Sequence, residues 1–220
     1  DAAGARGGNG AGGGAVVGCA AMRILKLATI AFFLLAWGAR AQAPTGSPFL
    51  LKPLGQNVWA AIDDARGDAG ANAGFVIGDD GVAVIDTFEN AAAARQMLAE
   101  IHKLTKLPVK FVINTHYHLD HVAGNGVFAE AGAVVFEQRN VRTWIHTENR
   151  KFFDKEIKPG QQALVEGLTA PEAVYESGSV ELYLGARRIV VRNYPGHTGG
   201  DSVVEIPDAQ VVFCGDLFWR

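Results

Sequence analysis

Apolar positions along the chain follow two rhythms, and these divide it into elements. From residue 49 onward, short runs rich in β-branched and aromatic residues recur at 49–51, 58–62, 74–78 and 81–85. Runs of that length and composition read as strands. The last two flank Asp79-Asp80, and the sequence Gly78-Asp79-Asp80-Gly81 between apolar runs is a hairpin signal. Residues 63–71 form a short polar turn with no aromatic residue. Over residues 89–105 the period changes. Ala94, Met97, Leu98, Ile101 and Leu104 fall on one helical face, and Pro108 marks where the helix has ended. A strand at 109–113, a helix at 124–131 and a strand at 133–136 follow. Strand, helix and strand in succession predict a layered α/β fold.

The second half reads differently. Residues 137–157 are helical but less regular, with Val141, Trp144, Ile145, Phe152 and Phe153 apolar, and are expected to pack on the sheet, with a roof over the candidate metal-ligand cluster at 116–121 as the alternative. Residues 158–171 read as loop. Runs at 173–175, 180–184, 187–192, 202–206 and 211–214 then predict a meander of strands, punctuated by Gly185-Ala186, Pro195-Gly196 and Pro207-Asp208. The helices that would cover this sheet are expected beyond residue 220, which leaves apolar sheet surface exposed.

The chemistry concentrates where strands end. Directly after the 109–113 run, the stretch from Asn114 to Asn125 places His116, His118, Asp120 and His121 within six positions. If extended backbone persists through residue 118, His116 and His118 point to one side, because strand side chains alternate with period two. Asp120 and His121, being adjacent, can face a second centre only if the chain turns there, into the first turn of a helix beginning near Val122. Nitrogen and oxygen donors of this kind suit zinc best, with iron or manganese as alternatives. Two later pieces fit the same pattern. His197 lies in Asn193-Tyr194-Pro195-Gly196-His197-Thr198-Gly199-Gly200-Asp201, and Asp216 follows the run 210–214, each again after an apolar strand. His102 and His146 lie in helix-like stretches and read as surface or packing residues.

On these residues the chain resembles the metallo-β-lactamase superfamily, whose signature is His-x-His-x-Asp-His with a later histidine and a later aspartate. The resemblance covers about residues 50 to 220. It implies an αβ/βα four-layer sandwich, here without its last strands and helices. It also implies a ligand set: His116, His118 and His197 for one metal, Asp120 and His121 for a second, and Asp216 bridging both. A complete protein would hold two zinc ions. Members normally supply a further histidine from a segment after the bridging aspartate, so the chain reads as cut short at its C-terminal end. Asp86 resembles a buried carboxylate behind the ligands, with a turn or helix-cap role equally open. The turn at 63–71 would overhang the site. The expected chemistry is attack of a metal-bound hydroxide on a carbonyl, since coordination lowers the pKa of water to about 7, with Asp120 holding the nucleophile. The bridging aspartate favours thioesterase-like relatives over β-lactamases proper, so the expected function is hydrolysis of an ester, thioester or lactam. A mononuclear iron dioxygenase of thiol compounds and a non-catalytic metal-binding fragment are the alternatives.

Composition adds a leader. Residues 1–21 are mostly Gly and Ala and cannot build a core. From Met22, the basic residues Arg23 and Lys26, the apolar run 27–37 and Ala39-Arg40-Ala41 read as a signal peptide over 22–41, leaving a domain at 42–220. The apolar run is shorter than the about 20 residues needed to span a bilayer, so no stable membrane association is expected after cleavage. Export would place the protein in a bacterial periplasm or outside the cell. Losing 1–41 leaves a formal net charge of −6 and Cys214 as the single cysteine. That balance excludes a basic nucleic-acid footprint and leaves a small-molecule substrate.

Overall fold

A computed structural model of the chain describes residues 46–64, 66–153 and 158–218. The expected leader (1–21) and signal segment (22–41) lie outside them. No helix among the described residues is long and apolar enough to cross a membrane.

Two sheets face each other. The first has seven strands in chain order: β1 (Phe49–Gly55), β2 (Val58–Asp63), β3 (Ala73–Ile77), β4 (Val82–Ile85), β5 (Val109–Ile113), β6 (Val134–Gln138) and β7 (Ala173–Tyr175). β1 to β4 form an antiparallel meander, and β4 to β7 are parallel. The second sheet is antiparallel and contains β8 (Ser179–Leu184), β9 (Arg187–Asn193), β10 (Ser202–Ile206) and β11 (Val211–Phe213). Each sheet turns one row of alternate residues inward. Val76, Ala83, Ile85 and Ile113 from the first meet Leu184, Ile189, Val191, Val204 and Ile206 from the second. Burying each such Ile or Val contributes about 1.5–3 kcal/mol.

The other face of the first sheet is covered by helix α1 (Ala91–Leu104) and by α3 (Asn125–Glu130). Asn90 starts α1: its side chain accepts the Ala93 N–H at 2.9 Å. His102 and Lys103 lie in the last turn, where positive charge suits the helix dipole. Ala93, Ala94, Met97 and Ile101 are buried with Phe75, Val84, Phe88 and Phe128. Leu104, expected on this face, is 44% exposed in the final turn. The hairpin at Asp79-Asp80 forms as expected, with Ile77 opposite Val82. Its tip docks on the second sheet, where Asp79 N–H donates to Leu184 O at 3.1 Å. A Cβ at Gly78 would lie 2.3 Å from the Leu184 Cβ, so the docking needs glycine.

Four expectations change. The extended backbone expected through residue 118 stops at Ile113, and the following helix, α2 (Leu119–Val122), starts three residues earlier than expected. Residues 159–166, expected as loop, form helix α6 (Pro159–Glu166). Pro159 is a breaker only inside a helix; at the first helical position it lacks no needed N–H. β7 belongs to the first sheet beside β6 and not to the second-half meander. Three layers are present among the described residues: helices, first sheet and second sheet. The second sheet's outer face is mixed and not simply apolar. It pairs Arg192 with Glu205 and Arg188 with Glu181, and leaves Tyr183 and Val212 each 52% exposed. The irregular stretch after β6 resolves into α4 (Arg139–Trp144) and α5 (Thr147–Lys151), with 154–157 outside the described residues. Val122, Ile145 and Leu168 tie these helices together at one end of the sandwich.

One buried group opposes this packing. Glu137 on β6 is fully buried, with Oε1 3.5 Å from Asn125 Nδ2 and no hydrogen-bond partner for Oε2 among the described residues. Burial, and then the charge of Asp86, push its carboxyl well above the usual range. The unfolded chain releases this proton near pH 4.5 while the folded chain retains it. Stability therefore falls as pH rises above 4.5, by about 1.4 kcal/mol per pH unit until the folded group titrates. Urea denaturation at pH 5 and pH 8 checks this: Glu137→Gln should be more stable than the parent at pH 8, with the advantage shrinking toward pH 5.

Candidate metal centre

β5 delivers the chain to one end of the sandwich, and side-chain hydrogen bonds then replace the sheet ladder. Thr115 N–H donates to Asp86 Oδ1 at 2.7 Å, and Asn114 Nδ2 donates to His121 O at 2.8 Å. Residues 115–117 bend, and His118 becomes the N-cap of α2. The bend still brings the two histidines together, with His116 Nε2 3.1 Å from His118 Nδ1. The two rings meet although the backbone between them is not extended. Asp120 and His121 turn inward from the first turn of α2, as expected. The loop from β9 to β10 adds His197, whose Nε2 is 3.0 Å from His118 Nδ1. The single turn after β11 adds Asp216.

All six expected residues therefore converge. Potential donor atoms of His116, His118, His197 and Asp216 lie within 4.8 Å of one another, and so do those of Asp120, His121 and Asp216. Asp216 belongs to both groups and divides its oxygens between them. Oδ2 lies 3.9 Å from His116 Nε2 and 3.6 Å from His197 Nε2, while Oδ1 lies 3.3 Å from His121 Nε2. His102 is exposed at the surface, and His146 Nδ1 is 2.8 Å from Val165 O, away from this cluster, as expected of surface and packing residues.

Proton counting tests whether these residues suit a cation. The Thr115 hydroxyl donates to Asp86 Oδ2 at 2.8 Å and can accept the Nδ1 proton of His116 at 3.1 Å, leaving His116 Nε2 as a lone pair. His121 Nδ1 donates to Asp86 Oδ2 at 2.9 Å. Its Nε2 is buried with no hydrogen-bond partner among the described residues, although Asp120 Oδ2 is 3.4 Å away. Three ring nitrogens thus crowd the first group, and a proton on His118 Nδ1 could satisfy only one of its neighbours. Burial, and then the charges of His121 and His118, push His116 down to about 2. Burial and His197 also lower His118. Convergent imidazole nitrogens facing a carboxylate form a set suited to a divalent cation. At His121 burial opposes protonation, but Asp86, Asp120 and Asp216 outweigh it and raise the ring well above its ordinary value. Burial opposes it, but the close approach and charge of His121, with Nε2 3.4 Å from Asp120 Oδ2, hold Asp120 below the usual carboxylate range, and the same ring, 3.3 Å from Asp216 Oδ1, takes Asp216 down to about 2.

Of the two roles open for Asp86, the buried support is observed; the helix cap is Asn90. Asp86 is 3% exposed and held at φ 59°, a left-handed conformation that a non-glycine residue adopts only when its surroundings fix it. Other supports escaped the sequence reading. Asn149 on α5 donates to Tyr117 O at 2.6 Å, bracing the bend, and Ser202 N–H donates to Thr115 O at 2.7 Å. Neither belongs to a spacing motif; only their positions in the fold disclose them. A cavity of about 630 Å³ opens onto Asp120, His121 and Asp216. Ala60, Ile62 and Phe213 give it apolar walls, and Gly70 and Ala71 bring the expected turn over it.

The family model described as the metallo-beta-lactamase superfamily matches residues 66–220. The hydroxyacylglutathione hydrolase of Brucella anthropi is 30% identical over 110 residues, half of this chain and 33% of that protein. That of Brucella ovis is 32% identical over 110 residues, again half of this chain and 34% of that protein. The match thus spans about a third of these relatives' length. Among solved structures, a metallo-beta-lactamase from Pontibacter korlensis superposes with a TM-score of 0.59 at 20% identity, covering 78% of this chain and 73% of that one. At that identity the likeness speaks for the fold alone.

Asp86→Ala removes the acceptor of Thr115 N–H and His121 Nδ1–H together. Affinity for a metal ion bound at His121 would fall about 10–100-fold, read by competition with a chromophoric chelator. Unchanged affinity would show that the ligands hold their places without Asp86.

Proposed function

This chain belongs to the metallo-beta-lactamase superfamily, and from its site we propose a zinc-dependent hydrolase that cleaves a thioester or related acyl bond of a small molecule. The observation that carries the proposal is the division of Asp216, one oxygen toward each group of donors. A carboxylate so placed suits a pair of cations. His116 Nε2, His118 Nδ1 and His197 Nε2 would hold one ion, Asp120 and His121 the other. Bound zinc supplies Lewis acidity, polarising an acyl carbonyl and lowering the pKa of coordinated water to about 7.

The protein's own groups do the rest. Asp120, with a partly exposed side chain beside the cavity, accepts a hydrogen bond from the attacking water and fixes its direction. Its lowered proton affinity suits it to orienting water more than to storing a proton. In the net reaction water adds its oxygen to the acyl carbon, the carbon–sulfur bond breaks, and the thiol leaves with a proton. The apolar walls of the cavity receive the acyl group and exclude bulk water from the carbonyl. The thioester preference draws on the Brucella hydrolases and on the shared carboxylate. We also place the mature protein in a periplasm or outside the cell, on the strength of Arg23, Lys26 and the apolar run 27–37. Nucleic acid is not a proposed substrate, given the acidic balance of the domain.

Hydrolysis of an acyl thioester of a small thiol and of a cyclic amide, each assayed with the zinc-loaded chain, tests the proposal. The thioester should be the better substrate by at least about tenfold in kcat/KM, chelation should abolish turnover, and His116→Ala should lower kcat/KM about a thousandfold or more. Turnover indifferent to chelator, or tracking one iron per chain and consuming oxygen, would refute it.

A further inference from the structure

The loop that carries His197 has no strand or helix of its own, and Asp201 supplies what the ladder lacks. Residues 194–201 connect β9 to β10, and Asp201 at their end is 2% exposed. Its Oδ2 accepts four successive backbone N–H groups: Gly196 at 2.9 Å, His197 at 3.1 Å, Thr198 at 2.8 Å and Gly199 at 3.3 Å. Its Oδ1 accepts the Thr198 hydroxyl at 2.8 Å. Its own carbonyl closes the loop from behind, accepting Tyr194 N–H at 3.0 Å and Asn193 Nδ2 at 2.9 Å. Successive amides wrapped around one anion form a nest, and bonds to a carboxylate are the stronger kind.

We infer that Asp201 is a positioning residue, which holds His197 at the first group of ligands through the backbone of the 194–201 loop. The inference rests on the metal-site reading above and adds to it a residue outside the ligand set. Asp201 is not itself in either donor group, because its oxygens are already engaged by the loop. The next residue extends the linkage: Ser202 N–H donates to Thr115 O at 2.7 Å, joining the His197 loop to the segment that bears His116. Displacing this carboxylate therefore frees one ligand of the first group and leaves His116, His118 and Asp216 in place.

The test compares the full chain with Asp201→Ala and Asp201→Asn. Amide hydrogen exchange in the metal-free protein reads the cradle directly: residues 196–199 should be protected in the parent and exchange at least about tenfold faster in Asp201→Ala. Zinc competition with a chelator should show one of two ions weakened about 10–100-fold, and cobalt substituted at that position should change its absorption bands. Asp201→Asn keeps one acceptor oxygen and should recover part of both losses; it also serves if Asp201→Ala does not fold. Freely exchanging amides in the parent, or equal zinc affinity in parent and variants, would overturn the inference. A parent that binds no zinc while its amides are protected would instead overturn the metal-site reading on which it rests.

Discussion

Thr115 is where the segments that make up the site are joined. Its backbone N–H and hydroxyl grip the two oxygens of Asp86, its hydroxyl meets His116 Nδ1, and its carbonyl receives Ser202 N–H. Asp86 in turn holds His121. The segment bearing Asp216 also packs here: a Cβ on Gly215, which stands at φ +51°, would lie 2.3 Å from Thr115 Oγ1. Strand ends from both sheets are thus fixed to one residue. The two facing sheets provide rigidity, and Thr115 turns it into registration among four loops.

The electrostatics follow from that registration. Buried rings forced together lose affinity for protons, since each disfavours charge on its neighbours and burial disfavours it on all. His116 and His118 follow this rule, whereas His121, ringed by Asp86, Asp120 and Asp216, is driven the other way. Folding places lone pairs and negative charge around two points without satisfying them. That arrangement costs stability, which a bound cation would return, so metal affinity and folding are expected to be linked.

Much of this was legible in the sequence because local rules dominated locally. The continuous apolar runs 74–78 and 81–85 around a two-residue turn and the helical stripe through Met97 and Ile101 agree with their final environments. The ligand types were legible because chemistry restricts them to His and Asp. The path between His116 and His118 was not. Strand geometry gave the right neighbours by the wrong route, since Asp86 lies 29 residues before Thr115 and its capture of that residue has no signature in spacing. Asp201 was visible at the end of the His197 motif, but its work is done through backbone amides, which carry no side-chain code. Likewise, Pro159-Gly160 looks like a break until the residues after it are seen to form α6.

The most direct measurement is a crystal structure of the zinc-loaded protein with anomalous diffraction at the zinc edge. Two peaks are expected, one among His116, His118 and His197 and one beside Asp120 and His121, with Asp216 between them. No peak at these residues, or a single ion that leaves His121 Nε2 and Asp120 without a ligand, would contradict the dinuclear site.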